Sequence, residues 1–164
     1  HDLDLVVRGG ERVGLVGLNG HGKTTLFYAI AGLTGWQRGS ILLDGKQIGR
    51  TRSQGPGRYT HHIVRLGLAL LPQGDEIFNG LTVEEHLDSG AFTRDAWRDR
   101  KQRKERVLDL PVMNALLDIE LGQSAMLIAE QNVALLEGRV DRMIGMHAGK
   151  LKGEASSALM MRLH

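Results

Sequence analysis

Residues 14–25 read Gly-Leu-Val-Gly-Leu-Asn-Gly-His-Gly-Lys-Thr-Thr, and their types and spacing suit one chemistry, the holding of phosphate. Four glycines fall within nine residues, at 14, 17, 20 and 22, and Gly17 through Thr24 satisfies the pattern G-x-x-x-x-G-K-[ST]. A polyphosphate presents several anionic oxygens in a small volume, so it needs many donors around one concave space. Successive backbone N–H groups turned inward supply them, provided no Cβ blocks the approach. The cradle so defined includes Asn19, Gly20, His21 and Gly22. A helix opening at Lys23 adds a partial positive charge of about half an elementary charge. Lys23 is expected to reach the β- and γ-phosphates of a nucleotide, the Thr24 hydroxyl to ligate Mg2+, and Thr25 to donate to the α-phosphate. The alternative is a glycine-rich turn that only joins two elements. Such a turn has no need of a lysine followed by two threonines.

Elements on both sides must position that loop. "ERVGLVG" (11–17) is a short apolar run with β-branched valines, entered from the turn "RGG", and predicts a buried strand. "KTTLFYAIAGL" (23–33) sets Leu26, Ile30 and Leu33 at helical spacing and stops at Gly32 and Gly35, so it predicts a helix. This strand–loop–helix context is the one the phosphate-loop pattern requires. Further on, "GSILLDGKQIG" (39–49) alternates apolar and polar residues around Asp44-Gly45, a hairpin signal. Residues 63–91 predict a helix end, a strand "LALLP" (68–72) leading to Gln73, a loop, and a new helix near Val83. Thr82 followed three residues later by Glu85 is a capping box for that helix.

The chain has 164 residues, enough for one packed domain. Its composition, 41% hydrophobic and 24% charged, excludes a disordered chain. With 22 glycines and three prolines, turns are made mainly by backbone freedom. No cysteine is present, which rules out disulfides and thiolate metal sites. A net charge of +2 is too small to name a polyanionic partner. Apolar runs are far shorter than the ~20 residues of a spanning helix, and the N-terminus has no signal-peptide layout. These features lead to the expectation of a soluble, cytoplasmic domain that meets a membrane only through a partner.

"GLNGHGKTTL", "GSILLDGKQI" and "RLGLALLPQGDEIFNGLTVEEHL", in that order, resemble the ATP-binding subunit of an ATP-binding cassette (ABC) transporter. "AMLIAEQNVALLEGRVDRMIGMHAGKLKGE" (125–154) resembles the last core strands of the same family. Within it, the chain is most similar to subunits of branched-chain amino acid importers and their urea and amide relatives. The resemblance implies an α/β fold of the P-loop NTPase type, with a mainly parallel core sheet, an antiparallel hairpin and a helical subdomain. Core residues would span about 1–81 and 111–164, and a partial helical subdomain about 82–110. It further implies ATP and Mg2+ as ligands and ATP hydrolysis by the complete protein. The implied partners are transmembrane permease subunits, a second ABC ATPase subunit and, indirectly, a solute-binding protein. The implied location is the inner face of the cell membrane. By resemblance, Gln73 falls on the Q-loop, where the amide approaches Mg2+ and the attacking water. Gln131 takes the place of the switch histidine, as is common in this importer branch. A neutral amide can hydrogen-bond phosphate or water but cannot carry an imidazolium's charge.

Two motifs of that family are missing from the sequence. A Walker B strand, four apolar residues ending in Asp and followed by Glu, is not found, and neither is an "LSGGQ"-type signature. "ILLDGK" (41–46) has Gly45 where the base should stand, and "ALLDIE" (115–120) separates Asp118 from Glu120 and fits an amphipathic helix as well as a strand. "LGQS" (121–124) lacks the paired glycines. "RKERVLDL" (103–110) resembles the subdomain before the signature, and "PVMNALLDIE" (111–120) the helix after Walker B. The expectation is therefore a missing segment between Leu110 and Pro111; a chain continuous there would lose a central parallel strand and expose neighbouring edges. The adenine-stacking aromatic of the family would precede His1; Tyr28 and Tyr59 follow the loop and do not match it. A chain continuous at that junction would bind phosphate but hydrolyse ATP poorly, which leaves a non-hydrolysing regulatory module as an alternative. A nucleic-acid-associated cassette ATPase is another.

Other features read more simply. The charged stretch "TRDAWRDRKQRKER" (93–106) mixes signs at helical intervals and predicts a solvated face, with no nucleic-acid partner expected. His61-His62 is expected to point apart and hold no metal. His21 stands where the family often has Ala or Ser and is expected to point outward or to touch the nucleotide. Met160-Met161 predicts an apolar patch on a C-terminal helix.

Overall fold

The structure, a computed structural model, describes residues 3–48, 60–74, 78–108 and 121–155. Its centre is strand β1, Arg12–Val16, whose residues from Val13 to Val16 are all buried. β1 pairs in parallel with β4 (Met126–Glu130) on one side and with β5 (Arg142–His147) on the other. β6 (Lys150–Ala155) turns back antiparallel on β5, giving the sheet order β4-β1-β5-β6. A strand with parallel neighbours on both sides and cover on both faces must be apolar throughout. "RVGLV" meets that demand.

Alternation along β1 then builds two cores. Val13 and Leu15, both fully buried, point to one face with Ile144 and Met146, where Leu26 and Phe27 of α1 and the alternating Leu3, Leu5 and Val7 cover them. Burial of side chains of this size stabilises by about 1.5–3 kcal/mol each. Val16 points to the other face, against Leu136 and Met143, with Ile128, Val133 and Val140 around them. Gly14 lies on this second face. A Cβ there would stand 2.8 Å from Leu136 Cδ1 and 3.2 Å from Met143 Cγ, so Gly14 is a packing glycine inside the strand and takes no part in the loop.

Helix α1 runs over Lys23–Ile30 and ends through Ala31 and the left-handed Gly32, a turn shorter than the apolar spacing to Leu33 predicts. The hairpin forms as expected: β2 (Ile41–Leu43) and β3 (Lys46–Ile48) pair around Asp44 and Gly45, at φ 48° and 73°, a two-residue turn with both centres left-handed. It stands as a separate two-stranded sheet.

Helix α2 (Thr60–Arg65) ends as anticipated, but the predicted strand 68–72 does not form. Among the described residues the segment enters no ladder, and Leu71 is 73% exposed. An apolar run becomes a parallel strand only beside a neighbour that accepts its hydrogen bonds. None of the described strands does so. β4 has a related shortage. Its sequence "MLIAE" is as apolar as a central strand, yet among the described strands only β1 pairs with it, and it is only partly buried.

The predicted capping box is present. α3 (Val83–Gly90) begins with Thr82 Oγ1 accepting from Glu85 N at 3.3 Å, while Glu85 Oε2 accepts from Thr82 N at 2.7 Å. The bond from Thr82 N, with a second from the Thr82 hydroxyl, holds the Glu85 carboxyl below its usual pKa. α4 (Arg94–Arg98) and α5 (Arg100–Leu108) carry the charged stretch on a solvated surface, as predicted. Lys104 joins α5 to α3 by reaching Glu84 at 2.7 Å and Asp88 at 3.0 Å, and these carboxylates raise its pKa. The Leu110–Pro111 junction, "PVMNALLDIE", Tyr59 and Met160-Met161 lie outside the described residues.

His61 and His62 depart from expectation. Their rings lie together, with centroids 4.2 Å apart and planes tilted by 38°, where neighbours on a regular helix were predicted to diverge. Both residues are exposed in the first turn of the short α2, where little packing fixes the rotamers. No group of three or more metal-ligating side chains occurs among the described residues.

Candidate functional site

The loop between β1 and α1 has the conformation its sequence calls for. Gly20 and Gly22 take φ values of 80° and 99°, a region that residues with a Cβ rarely enter. Gly22 is the N-cap of α1, with no side-chain cap, so the first-turn amides of Lys23, Thr24 and Thr25 have no partner within the helix. The amides of Asn19, Gly20 and Gly22 likewise make no backbone hydrogen bond among the described residues. A cluster of donors without acceptors at a helix N-terminus is the condition for binding an anion. The residues present therefore fit the phosphates of a nucleotide.

Lys23 is the one charged residue among the buried ones described, at 9% exposure. Its Nζ donates to Gly17 O and to Leu18 O, the latter at 3.0 Å, so the ammonium lies inside the loop and bridges its entrance. A buried ammonium is costly unless its protons are taken up. Two are accepted by loop carbonyls, and an anion in the cradle would be a stronger acceptor. Asn19, Gly20, Thr24 and Thr25 are exposed around it. The Thr24 hydroxyl is thus open to a cation, and among the described residues no side chain bonds to it.

The ring of His21 is turned to the β5–β6 hairpin. Its Nδ1 lies 3.2 Å from Met146 O, and the ring meets His147 edge-on with centroids 4.4 Å apart. Gly17 approaches the same hairpin so closely that a Cβ would stand 2.3 Å from Met146 O. Only a glycine fits there.

Gln131 arrives through strand register. Val16 pairs with Glu130, and Gly17 N reaches Glu130 O at 3.4 Å, so the residue after β4 stands beside the first residue of the loop. The turn is fixed by the Glu130 carboxylate, whose Oε1 accepts from Gln131 N at 2.7 Å and Asn132 N at 3.0 Å. Asn132 in turn caps a short 3-10 turn over Val133–Leu135. The side chain of Gln131 is exposed at the carboxyl end of the parallel strands, the end at which open α/β sheets bind ligands. Gln73 is not joined to the loop in this way. It stands exposed in a bend after the unpaired segment 68–72.

Sequence reasoning missed Glu130, Met146 and Gly149 as residues that shape this site. Glu130 was visible as a polar end to an apolar strand. Nothing in the sequence signalled the other two.

With the geometry in place, comparison with known proteins identifies the chain as a member of the ABC transporter family, whose model matches residues 1–137. It is 36% identical over 110 residues to the high-affinity branched-chain amino acid transport ATP-binding protein BraG of Pseudomonas aeruginosa, covering 67% of this chain and 44% of that one. It is 41% identical over 86 residues to the lipopolysaccharide export system ATP-binding protein LptB of Haemophilus influenzae, covering 52% and 33%. Among solved structures it is similar to cbiO1 of Clostridium perfringens, part of the ABC transporter complex cbiONQ. That match has a TM-score of 0.68 and 18% identity over 97% of this chain and 82% of the other, a likeness of fold. The chain spans about a third to a half of the length of the curated relatives it matches. No described helix is long and apolar enough to cross a membrane.

Proposed function

We propose that the chain is the nucleotide-holding part of an ABC transporter ATPase, whose complete form binds and hydrolyses ATP to drive uptake of a small polar solute. The observation that carries this reading is the loop itself: the amides of Asn19, Gly20, Gly22 and the first turn of α1, without backbone partners among the described residues, around a buried Lys23 ammonium. Asn19, Gly20, His21 and Gly22 supply the cradle, Lys23 the cation for the terminal phosphates, and Thr25 a donor at its edge. Thr24 and Gln73 would hold Mg2+, which when bound screens the charge on the phosphates. Gln131 orients water or phosphate from the end of β4. Chemistry of this kind depends on positioning and electrostatics, and it needs every part in place.

Two edges left without a partner among the described strands support the domain reading. The unpaired 68–72 and the half-exposed apolar β4 are both what a sheet would leave if one parallel strand were lost between 110 and 111. On this reading residues 1–81 and 111–164 are core, 82–110 are part of a helical subdomain, and the 164-residue chain alone hydrolyses little or no ATP. Permease subunits and a second ABC ATPase would complete the assembly at the inner membrane face.

The importer reading rests on similarity to the amino acid transport subunits and on Gln131. The similarity to LptB favours a second reading, extraction of a lipid-like cargo by the same motor. Full-length protein reconstituted with its permease subunits in proteoliposomes distinguishes them. ATP-dependent accumulation of labelled leucine, urea or a short amide supports import. ATP turnover with none of these moving contradicts it.

A further inference from the structure

Few internal bonds hold the phosphate loop. Its own backbone contact among the described residues is His21 N to Leu18 O at 3.4 Å, a long one. Its shape is set instead by the tip of the β5–β6 hairpin. There Ala148 and Gly149 take φ values of 48° and 76°, and His147 pairs with Lys150, so the tip is a two-residue turn with both centres left-handed. In such a turn the amide of the second central residue plays no part in the ladder. Gly149 N–H is therefore free to point outward, and it donates to His21 O at 2.9 Å.

Three more contacts follow from that approach. The Nδ1 of His21 is 3.2 Å from Met146 O, and because a carbonyl only accepts, Nδ1 carries the proton. The His147 ring flanks His21 edge-on. Gly17 and Gly22 close the fit: a Cβ on Gly17 would collide with Met146 O, and one on Gly22 would stand 3.3 Å from Met146 Cε and 3.5 Å from Gly149 Cα. The hairpin tip thus grips the loop at its first residue, its last glycine and the residue just before that glycine. Ala148 adds a second sign of constraint, because a residue with a Cβ in the left-handed region is held there by its surroundings.

We infer that the β5–β6 tip is a strap that holds the phosphate loop in its binding shape, and that His21 is a positioning residue within it. The inference rests on the proposal that the loop binds a nucleotide. Its physical basis is preorganisation. Inward amides bind polyphosphate well only if their directions are fixed beforehand, and the strap fixes them without occupying the cradle. Gly149 N–H supplies a main-chain bond that no side chain can replace. His21 adds a second bond, so the loop is tied through both its backbone and its ring.

The test is the affinity of the full-length protein for MgATP and MgADP by titration calorimetry, with thermal melting in parallel. His21→Ala should weaken both by roughly three- to tenfold, the scale of one hydrogen bond, with a melting temperature lowered by only a few degrees. His21→Asn, whose amide nitrogen can take the place of Nδ1 and donate to Met146 O, should recover most of the loss. Lys23→Ala reports on the nucleotide site itself. Wild-type affinity in His21→Ala, or a loss that His21→Asn does not recover, overturns the strap while Lys23→Ala still abolishes binding. If Lys23→Ala binds normally, the nucleotide reading fails instead.

Discussion

Val16 and Glu130 stand opposite one another in the parallel β1–β4 ladder, and this register sets Gln131 beside Gly17 at the mouth of the phosphate loop. The two segments are over a hundred residues apart in sequence. One hydrogen-bonded ladder brings them side by side, and the Glu130 carboxylate then fixes the turn that carries Gln131.

A role for Gln131 in turnover can be separated from one in binding. In the complete ATPase, Gln131→Ala should lower kcat on the order of a hundredfold while nucleotide affinity changes little, because the amide acts on the reacting end. Steady-state ATPase kinetics with nucleotide titrations check this. A rise in KM with kcat preserved would assign Gln131 to binding alone.

Gly14 and Gly17 should fail differently. Gly14→Ala presses on the side chains of Leu136 and Met143, which can shift, so overpacking should cost about 1–3 kcal/mol in urea unfolding. Gly17→Ala meets a backbone carbonyl of β5 that cannot give way. It should abolish nucleotide binding and destabilise more than Gly14→Ala.

The pair Glu11–Arg142 gives the fold an acid limit. Arg142 Nε donates to Glu11 Oε1 at 2.5 Å, and its Nη2 donates to Val6 O, tying the N-terminal segment to β5. The Arg142 hydrogen bond, then that of the Arg8 amide, holds the Glu11 pKa below its ordinary value. A depressed carboxyl contributes stability that is complete above the unfolded value of about 4.3 and is lost as pH falls through the lower folded value. Melting temperature should therefore decline below about pH 4.3, and Glu11→Gln should flatten that decline while lowering stability at neutral pH. An identical acid limb in the variant would show that other groups set it.

Thr82→Ala removes the acceptor for Glu85 N and half of the capping box. It should cost about 1 kcal/mol and fray the start of α3, as read by hydrogen exchange at residues 83–86. Thr82→Ser should behave like the native chain.

What the sequence disclosed was what depends on near neighbours. The phosphate loop, the turn at Asp44-Gly45 and the Thr82–Glu85 cap are each settled within a few residues, and each formed as read. Gly14 was grouped with the loop glycines because spacing cannot tell a glycine that shapes a turn from one that admits a leucine. The strand at 68–72 was misread for a related reason: its apolar pattern is right, but a strand also needs a partner, and pattern carries no record of one. The grip of Met146 and Gly149 on the loop spans more than a hundred residues, and only the folded sheet brings it about. His61 and His62 were judged by ideal helix geometry, which a short exposed first turn does not enforce.

On the proposed function, the loop from Gly17 to Thr25 is the nucleotide site of a transport ATPase. Its most direct test is Mg2+-dependent ATP turnover by the full-length protein assembled with its permease subunits, compared with Lys23→Ala. The native assembly should turn over ATP, and the variant should lose at least about a hundredfold, the scale of removing a charge-stabilising donor. Equal turnover in the two proteins would contradict it.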